Sequence, residues 1–223
     1  MLFSLLALTL SLSAFAQTQQ YTDSGESDPE AEAILDQVRQ KYEGYTSLEA
    51  DFVLEIELPE QPKEVQEGQL ARSGTKFRMN MGSQEAFSDG QALYVVLHGN
   101  QSVQINDLPD PSEDTGLMTP ESIFTFYKNG QFIYTLMDTR SEGNRVCHYI
   151  EFKPTDRYSE YSKLRMVVDR KTNEVIRVKA FAKDGSRYTF KIDQLNANKQ
   201  FSSSYFAFNE SKYPGYYVED LRE

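Results

Sequence analysis

Residues 48–58 alternate between apolar and mostly acidic side chains, and this period of two constrains the fold more than any other stretch. The apolar positions are Leu48, Ala50, Phe52, Leu54, Ile56 and Leu58. Successive side chains of a strand point to opposite faces, so one face of this segment is apolar and the other is charged. The pattern predicts a half-buried β-strand.

Similar apolar runs follow at intervals of roughly ten residues, and the last of them lies at 205–209. Turn signals such as Ser73-Gly74, Asp89-Gly90 and Asp184-Gly185 separate the runs. We therefore expect a mainly β (α+β) protein in which about 10–11 strands form an antiparallel sandwich or barrel.

Two helices are predicted among these strands. Asp28 is a capping residue in front of Pro29, and apolar residues then recur at helical spacing, which predicts a helix over Pro29–Glu43. Thr119-Pro120 repeats the signal before a short, almost wholly apolar helix that ends near 129. Such a helix must be covered on several sides or lie over an apolar surface.

The N-terminus carries an export signal. Residues 1–16 have no charged side chain and end in the small-x-small pattern of a signal-peptidase site. We expect cleavage before Gln17, a flexible polar leader at 17–28 and one domain at 29–223. A buried helix is the alternative for 1–16, but no helical period is visible there. A bacterial lipoprotein would carry its acylated cysteine at position 17, so we expect no lipid anchor.

Chemically reactive motifs are scarce. A formal net charge of −11 argues against binding to nucleic acid, which needs clustered Lys and Arg. His98 and His148 lie in different predicted strands without neighbours at ligand spacing, so we expect no metal site and no cofactor. The lone Cys147 reads as a core residue, and the acidic loop 107–116 lacks the spacing of a calcium loop. We expect no enzyme, although a carboxylate pair in a cavity stays open.

Large and flexible apolar side chains are therefore the main functional signal. The apolar face of the predicted strands includes Met79, Met81, Phe132 and Met166, and methionine suits surfaces that accept irregular apolar shapes. Residues that line a cavity and residues that fill a core look alike in a sequence. Both interpretations stay open on this ground alone.

Particular motifs add a family resemblance. The most specific are Ser88-Asp89-Gly90 followed by Leu93-Tyr94, the "FKP" of residues 152–154, and Asp184-Gly185 before a strand. Together with flanking segments from "ILDQVRQKYEGYTSLEADFVLEI" to "FAF", they stand in the same order as in the outer-membrane lipoprotein carrier proteins. In these segments the chain resembles the LolA family.

The resemblance implies a single incomplete antiparallel β-barrel whose helices form a lid over an apolar concavity. It implies a soluble periplasmic carrier that binds the acyl chains of lipoproteins and shuttles them from the inner to the outer membrane. The implied partners are acylated lipoproteins, an inner-membrane lipoprotein-release complex and a receptor at the outer membrane, and we expect a monomer. The alternative is a periplasmic glycolipid-binding or lipid-sensing relative with the same fold.

The resemblance and the alternation together predict a lipid-binding lining. The expected residues are Phe52, Leu54, Ile56, Leu70, Phe77, Met79, Met81, Leu93, Val95, Phe132, Tyr134, Leu164, Met166, Ile176, Val178, Tyr188 and Phe190, with Ile123, Phe124 and Tyr127 on the lid. Family members commonly latch the lid with the arginine of an Arg-Pro pair, but Ser73-Gly74 occupies that position here. Arg72 and Arg78 are the nearest latch candidates.

Overall fold

The computed structural model describes residues 26–108, 127 and 130–222. These residues form one α-helix and twelve strands. They are α1 (Pro29–Glu43), β1 (Ser47–Glu57), β2 (Glu64–Ser73), β3 (Lys76–Asn80), β4 (Gln84–Ser88), β5 (Ala92–Leu97), β6 (Ser102–Asp107), β7 (Phe132–Glu142), β8 (Arg145–Pro154), β9 (Tyr161–Asp169), β10 (Val175–Ala182), β11 (Arg187–Ala197) and β12 (Tyr217–Asp220).

Several predictions fall outside the described residues. These are the signal peptide, most of the leader, residues 109–116 of the acidic loop, and the second helix with Ile123 and Phe124. Tyr127 is the one residue of the predicted second helix that the structure describes.

All twelve strands belong to one sheet in the order β12-β6-β5-β4-β3-β2-β1-β11-β10-β9-β8-β7. Neighbours pair antiparallel, except that β12 runs parallel to β6. The edge strands β7 and β12 do not pair with each other, so the sheet is an incomplete barrel, as predicted. The three turns predicted from glycine contain Gly74, Gly90 and Gly185 at positive φ, where a side chain would be strained.

The helix α1 has the predicted bounds. The Asp28 side chain accepts a hydrogen bond from the Glu30 N–H at 2.9 Å, and Pro29 occupies the first turn. Its apolar face, which includes Leu35 and Val38, is buried against the sheet. Because local caps and a clear apolar stripe both specify this helix, the sequence was sufficient to predict it.

The sheet curves around α1. Asp28, just before the helix, bonds to the backbone of Tyr134 and Leu136 in β7, whereas Arg72 of β2 contacts the last turn. Six strand spacings separate β7 from β2, an arc of about 29 Å, whereas fifteen helical residues span about 22 Å. The strands between β7 and β2 therefore wrap the helix, which makes the side facing α1 concave.

The prediction of a strand at 205–209 is wrong. That segment has turn and irregular backbone, and the last strand is β12. Residues 201–216 cross the outer, convex side of the sheet, where Phe206 is buried and the Phe208 ring stacks on Tyr94 with centroids 5.0 Å apart. The alternation of Phe206 and Phe208 comes from packing onto this surface and not from strand pairing.

The C-terminal segment closes a second apolar core, which we call the convex cluster. Its buried members are Phe87, Ala92, Tyr94, Val96, Val103, Ile105 and Tyr213, with Phe208, Tyr216 and Val218 packed against them. This arrangement explains why β5 is apolar on both faces. Its Tyr94 and Val96 face the convex cluster, and Leu93 and Val95 alternate with them toward the concave side.

Candidate functional site

The concave side carries the main apolar surface, which we call the concave cluster. Its buried members include five residues of α1 and, from the strands, Leu48, Phe52, Leu70, Ile150, Phe152 and Met166. Around them lie apolar side chains that are only partly buried: Tyr45, Leu54, Met79, Met81, Phe132, Tyr134, Leu136, Leu164, Val178, Ile192 and Leu195. The single described helix thus covers the middle of the surface and leaves its margins accessible.

Most of the predicted lining residues belong to this cluster. Those at its accessible margins are Leu54, Met79, Met81, Phe132, Tyr134, Leu164 and Val178. Phe52, Leu70, Met166 and Phe190 are buried within it, together with Tyr127. Strand register places Ile56, Phe77, Leu93, Val95 and Tyr188 on the same side but beyond the cluster.

Two β-bulges alter the set that simple alternation predicts. A register shift in β10 between Val175 and Arg177 leaves Val175 buried in the cluster. Ile176 is not a member of the cluster, and it lines a small cavity of about 70 Å³ together with Val175. A shift opposite Asp51 brings Leu195 to the concave side, three residues after Ile192. A strict period of two misses Leu195 for this reason, whereas it could have found Ile192.

Arg72 connects the sheet to the end of α1. Its Nη2 donates hydrogen bonds to the Tyr42 carbonyl at 3.1 Å and the Tyr45 carbonyl at 3.2 Å. A cation at the C-terminal end of a helix also interacts favourably with the helix dipole. The Arg72 Nε is buried and has no hydrogen-bonding partner among the described residues. Of the two latch candidates, Arg72 is the one that contacts the helix.

Arg78 lies on the opposite face and holds a different segment. Its Nε donates to the Tyr205 carbonyl at 3.1 Å, its Nη1 pairs with Glu85 at 2.6 Å, and its guanidinium carbon lies 4.0 Å from the Phe87 ring centroid. These contacts attach the C-terminal segment to the convex cluster. A latch on α1 is therefore excluded for Arg78 by its position, because the sheet separates the two.

A cavity of about 380 Å³ opens along one flank of α1. That volume lies within the range of about 300–1,000 Å³ for small-molecule sites. Leu35 and the rings of Tyr127 and Tyr134 provide its apolar walls, and the helix adds Glu32, Asp36 and Arg39. The cavity thus joins an apolar wall to a charged rim, and it shares Tyr127 and Tyr134 with the predicted lining.

The two tyrosines are held as neutral phenols. The Tyr127 hydroxyl donates to the Leu35 carbonyl at 3.0 Å, which ties the ring to α1. Burial raises the pKa of Tyr127 and also that of Tyr134, where the nearby Glu32 carboxylate adds to the effect. Both phenols therefore stay protonated near neutral pH and can present hydrogen-bonding groups at the edge of an apolar wall.

Comparison with known families now assigns the chain. The family described as "Outer membrane lipoprotein carrier protein LolA" matches residues 43–209. The chain belongs to the LolA family. Among curated protein sequences, none matches this chain.

Among solved structures, one with a TM-score above 0.5 supports the fold. An uncharacterized conserved protein from Thermus thermophilus is 11% identical, with a TM-score of 0.55 over 87% of this chain and 99% of that chain. A LolA superfamily protein from Nitrosomonas europaea is 14% identical, with a TM-score of 0.42 over 80% and 97%. The Pseudomonas aeruginosa MucA/MucB complex gives 16% identity and a TM-score of 0.43 over 81% of this chain and 61% of that chain.

The LolA fold is a carrier and binding fold rather than that of an enzyme family. Two carboxylates do line the larger cavity, but Asp36 is ion-paired with Arg39 at 3.0 Å, and Glu32 lies one helical turn before it on the exposed side of α1.

Cys147 is buried and unpaired, as predicted for a core residue, and burial raises the pKa of its thiol. No helix in the described part of the chain has the length and apolarity needed to cross a bilayer.

Proposed function

We propose that this chain is a soluble periplasmic carrier that binds the acyl chains of lipoproteins on its concave side and moves them from the inner to the outer membrane. One observation carries the proposal: the concave cluster keeps eleven partly exposed apolar side chains, whereas the convex cluster has three. Exposed contiguous apolar surface in a soluble protein marks an interaction site. Membership of a family of periplasmic lipoprotein carriers supports this assignment.

Partial coverage suits a carrier better than complete enclosure. Each buried methylene contributes about 0.8 kcal/mol, so full burial of one sixteen-carbon chain would supply about 12 kcal/mol, and three chains would approach irreversible binding. The accessible margins beside α1 allow part of each chain to remain exposed. The free energy of transferring the acyl chains between the carrier and either membrane can then be close to zero.

We further propose that α1 acts as a lid whose last turn is latched by Arg72. The apolar face of α1 belongs to the same cluster as buried strand residues such as Leu70 and Met166, so movement of the helix would expose apolar surface. The Arg72 hydrogen bonds to two carbonyls hold the helix against β2. Displacing these bonds would couple the entry of acyl chains to helix movement.

The decisive experiment compares two adjacent positions of one strand. Leu54 and Val53 of β1 are both half-buried, and they point to the concave and convex sides respectively. Leu54→Asp should weaken binding of a fluorescent triacylated lipopeptide by at least about tenfold, since a carboxylate next to an acyl chain must be desolvated. Val53→Asp should bind as the wild type does. Equal affinities for the two variants would reject the concave site.

The charged rim of the larger cavity favours a second candidate, a glycolipid-binding or lipid-sensing relative. Glu32, Arg39 and the two phenols can form hydrogen bonds to a sugar head group while the acyl chains lie on Leu35 and Tyr134. A glycolipid and a lipopeptide with equal acyl chains separate the two functions in the same assay. Tighter binding of the glycolipid, together with no capture of lipoproteins released from spheroplasts, would favour the second.

Membrane partners belong to the same proposal. A carrier of this kind receives its cargo from an inner-membrane lipoprotein-release complex and delivers it to a receptor at the outer membrane. We propose that it does so as a monomer.

A further inference from the structure

Positive charge is concentrated in one part of an acidic chain. The formal net charge is −11, yet residues 153–191 contain eleven Lys and Arg against five Asp and Glu. This segment forms β9, β10 and the start of β11, which are neighbours in the sheet. A sign asymmetry of this kind commonly marks a surface for an anionic partner.

Strand register gathers these cations around one aromatic ring on the convex side. Phe181 pairs with Lys163 in β9 and with Arg187 in β11, and the next row places Lys179 beside Arg165. The Lys163 and Arg165 head groups lie 5.4 Å from the Phe181 ring centroid, and those of Lys179 and Arg187 lie 5.7 and 6.0 Å away. We call these five residues the basic rim.

The basic rim has more positive than negative charge. Glu151 is buried and accepts from Arg165 at 2.8 Å and from Lys163 at 3.1 Å. Glu57 pairs with Lys179 at 3.0 Å and with Arg187 at 4.0 Å. Two carboxylates thus face four cations, and the Arg165 and Arg187 side chains remain 47% and 54% exposed.

Exposed aromatic groups lie at the same end of the sheet. Tyr158 in the β8–β9 turn is 75% exposed, and Tyr161 at the start of β9 is 36% exposed. The Arg157 guanidinium lies 4.6 Å from the centroid of the Tyr158 ring. Amphipathic aromatic rings mixed with Lys and Arg are typical of proteins that lie at the surface of a bilayer.

Two carboxylates in the β8–β9 and β10–β11 turns accept hydrogen bonds from backbone N–H groups. Asp156 accepts from the Tyr158 N–H, and Asp184 accepts from the Ser186 N–H, both at 2.8 Å. Glu160 remains exposed beside Tyr161. These carboxylates keep their charge, and the two turns hold Arg157 and Lys183 against Asp156, Glu160 and Asp184, so the surplus of positive charge at this end comes from the basic rim.

We propose that the basic rim docks the protein on an anionic phospholipid surface. The remainder of the chain is acidic and is repelled by such a surface, so only this end can approach it. The concave side of the same strand ends carries the half-buried Leu164 and Tyr188, and register places Ile56 opposite Tyr188. Docking through the basic rim would bring this apolar margin to the bilayer.

Vesicle flotation tests the proposal with the full chain. Vesicles of phosphatidylcholine with about one quarter phosphatidylglycerol should carry the protein at low salt, and pure phosphatidylcholine should not. Binding should disappear at about 0.5 M NaCl because exposed charges are then screened. Equal flotation with neutral and anionic vesicles would overturn the proposal.

A matched pair of variants locates the surface. Lys179→Gln/Arg187→Gln removes two cations of the basic rim and should weaken binding to anionic vesicles by about tenfold or more. The control Lys76→Gln/Lys212→Gln removes two exposed cations elsewhere and should change it by less than about twofold. Equal weakening in both pairs would show that net charge alone is responsible. Arg187→Gln, at a position more than half exposed, replaces the double variant if that variant unfolds.

Two further measurements separate the membrane surface from a protein partner and from the concave site. An acidic polyglutamate peptide that binds the basic rim more tightly than vesicles would identify a protein partner and overturn the membrane assignment. Met79→Ala should weaken lipopeptide binding but float like the wild type, because Met79 lies on the concave side in β3, away from the basic rim, and the substitution changes no charge. A lack of lipopeptide binding by the wild-type protein would therefore contradict the proposed carrier function, whereas a lack of flotation would contradict only the docking of the basic rim.

Discussion

The concave and convex clusters lie on opposite faces and on different strands of the same sheet, and they are covered differently. In the convex cluster, the rings of Phe208, Tyr213 and Tyr216 pack together with Phe87 and Tyr94, and three apolar residues are only partly buried. On the concave side, one helix covers the centre and leaves half-buried residues on both flanks. A core that serves only stability is closed by its own chain, whereas a binding surface keeps apolar area that stability alone would bury.

The largest expected effect separates these two roles. Phe87 is fully buried, between the Arg78 guanidinium and the Tyr94 ring. Phe87→Ala should lower the free energy of unfolding by about 3–5 kcal/mol, because it leaves a cavity. Urea unfolding measures this loss, and lipopeptide affinity below the unfolding transition should not change. A lipopeptide affinity that falls together with the free energy of unfolding would contradict the separate roles of the two clusters.

Phe132→Ala is the matched concave substitution. Phe132 is only half-buried at the edge of the concave cluster, so its truncation should cost about 1–2 kcal/mol in stability. Lipopeptide affinity should fall by about tenfold, since the ring is accessible to a ligand. The two phenylalanines should therefore show opposite ratios of stability loss to affinity loss.

The two arginines provide the next test. Arg72→Met removes two charged hydrogen bonds to the end of α1 and should lower the free energy of unfolding by about 1.5–3 kcal/mol. If α1 is the lid, exchange of bound lipopeptide should also become faster in a stopped-flow assay. Arg78→Met should destabilise the C-terminal segment without changing exchange. Unchanged exchange in Arg72→Met would reject the latch while leaving its structural role intact.

Local signals predicted α1 and the glycine turns because a cap, a proline or a positive φ acts within a few residues of sequence. They failed at 205–209, where the alternation of Phe206 and Phe208 reflects packing across the sheet. They also could not separate Leu70, which is fully buried, from Leu54, which is half-exposed. Both residues fit the same period of two, and the difference depends on where α1 lies over the sheet. The basic rim was not predicted, because its cations are spread over three strands and only strand register brings them together.

A glycine tests how closely the concave face is packed. A Cβ atom on Gly68 would lie 2.4 Å from Cζ of Phe52 and 2.8 Å from the Asn80 carbonyl oxygen, so Gly68→Ala must displace the ring. We expect a loss of about 1–3 kcal/mol in stability. Gly99 has open space around it, and Gly99→Ala should be close to neutral. Thermal unfolding of both variants measures the difference, and equal melting temperatures would show that the Phe52 ring moves without cost.

The smallest effect concerns the charged part of the convex side. Glu55 of β1 accepts hydrogen bonds from Lys191 and from Lys63, the latter at 2.6 Å, and these two bonds hold the pKa of its carboxyl at about 2. A carboxyl whose pKa is lower in the folded than in the unfolded state stabilises the protein above its ordinary pKa near 4.5. That stabilisation is lost as the pH falls toward 2.

Glu55→Gln should therefore lower the free energy of unfolding at pH 7 by less than about 1 kcal/mol, because both lysines are partly exposed to solvent, which screens the ion pairs. The difference from the wild type should shrink below pH 4.5 and vanish near pH 2, as urea titrations at several pH values can measure. A difference that persists unchanged at pH 2 would mean that the packing of the side chain, not its charge, supports β1.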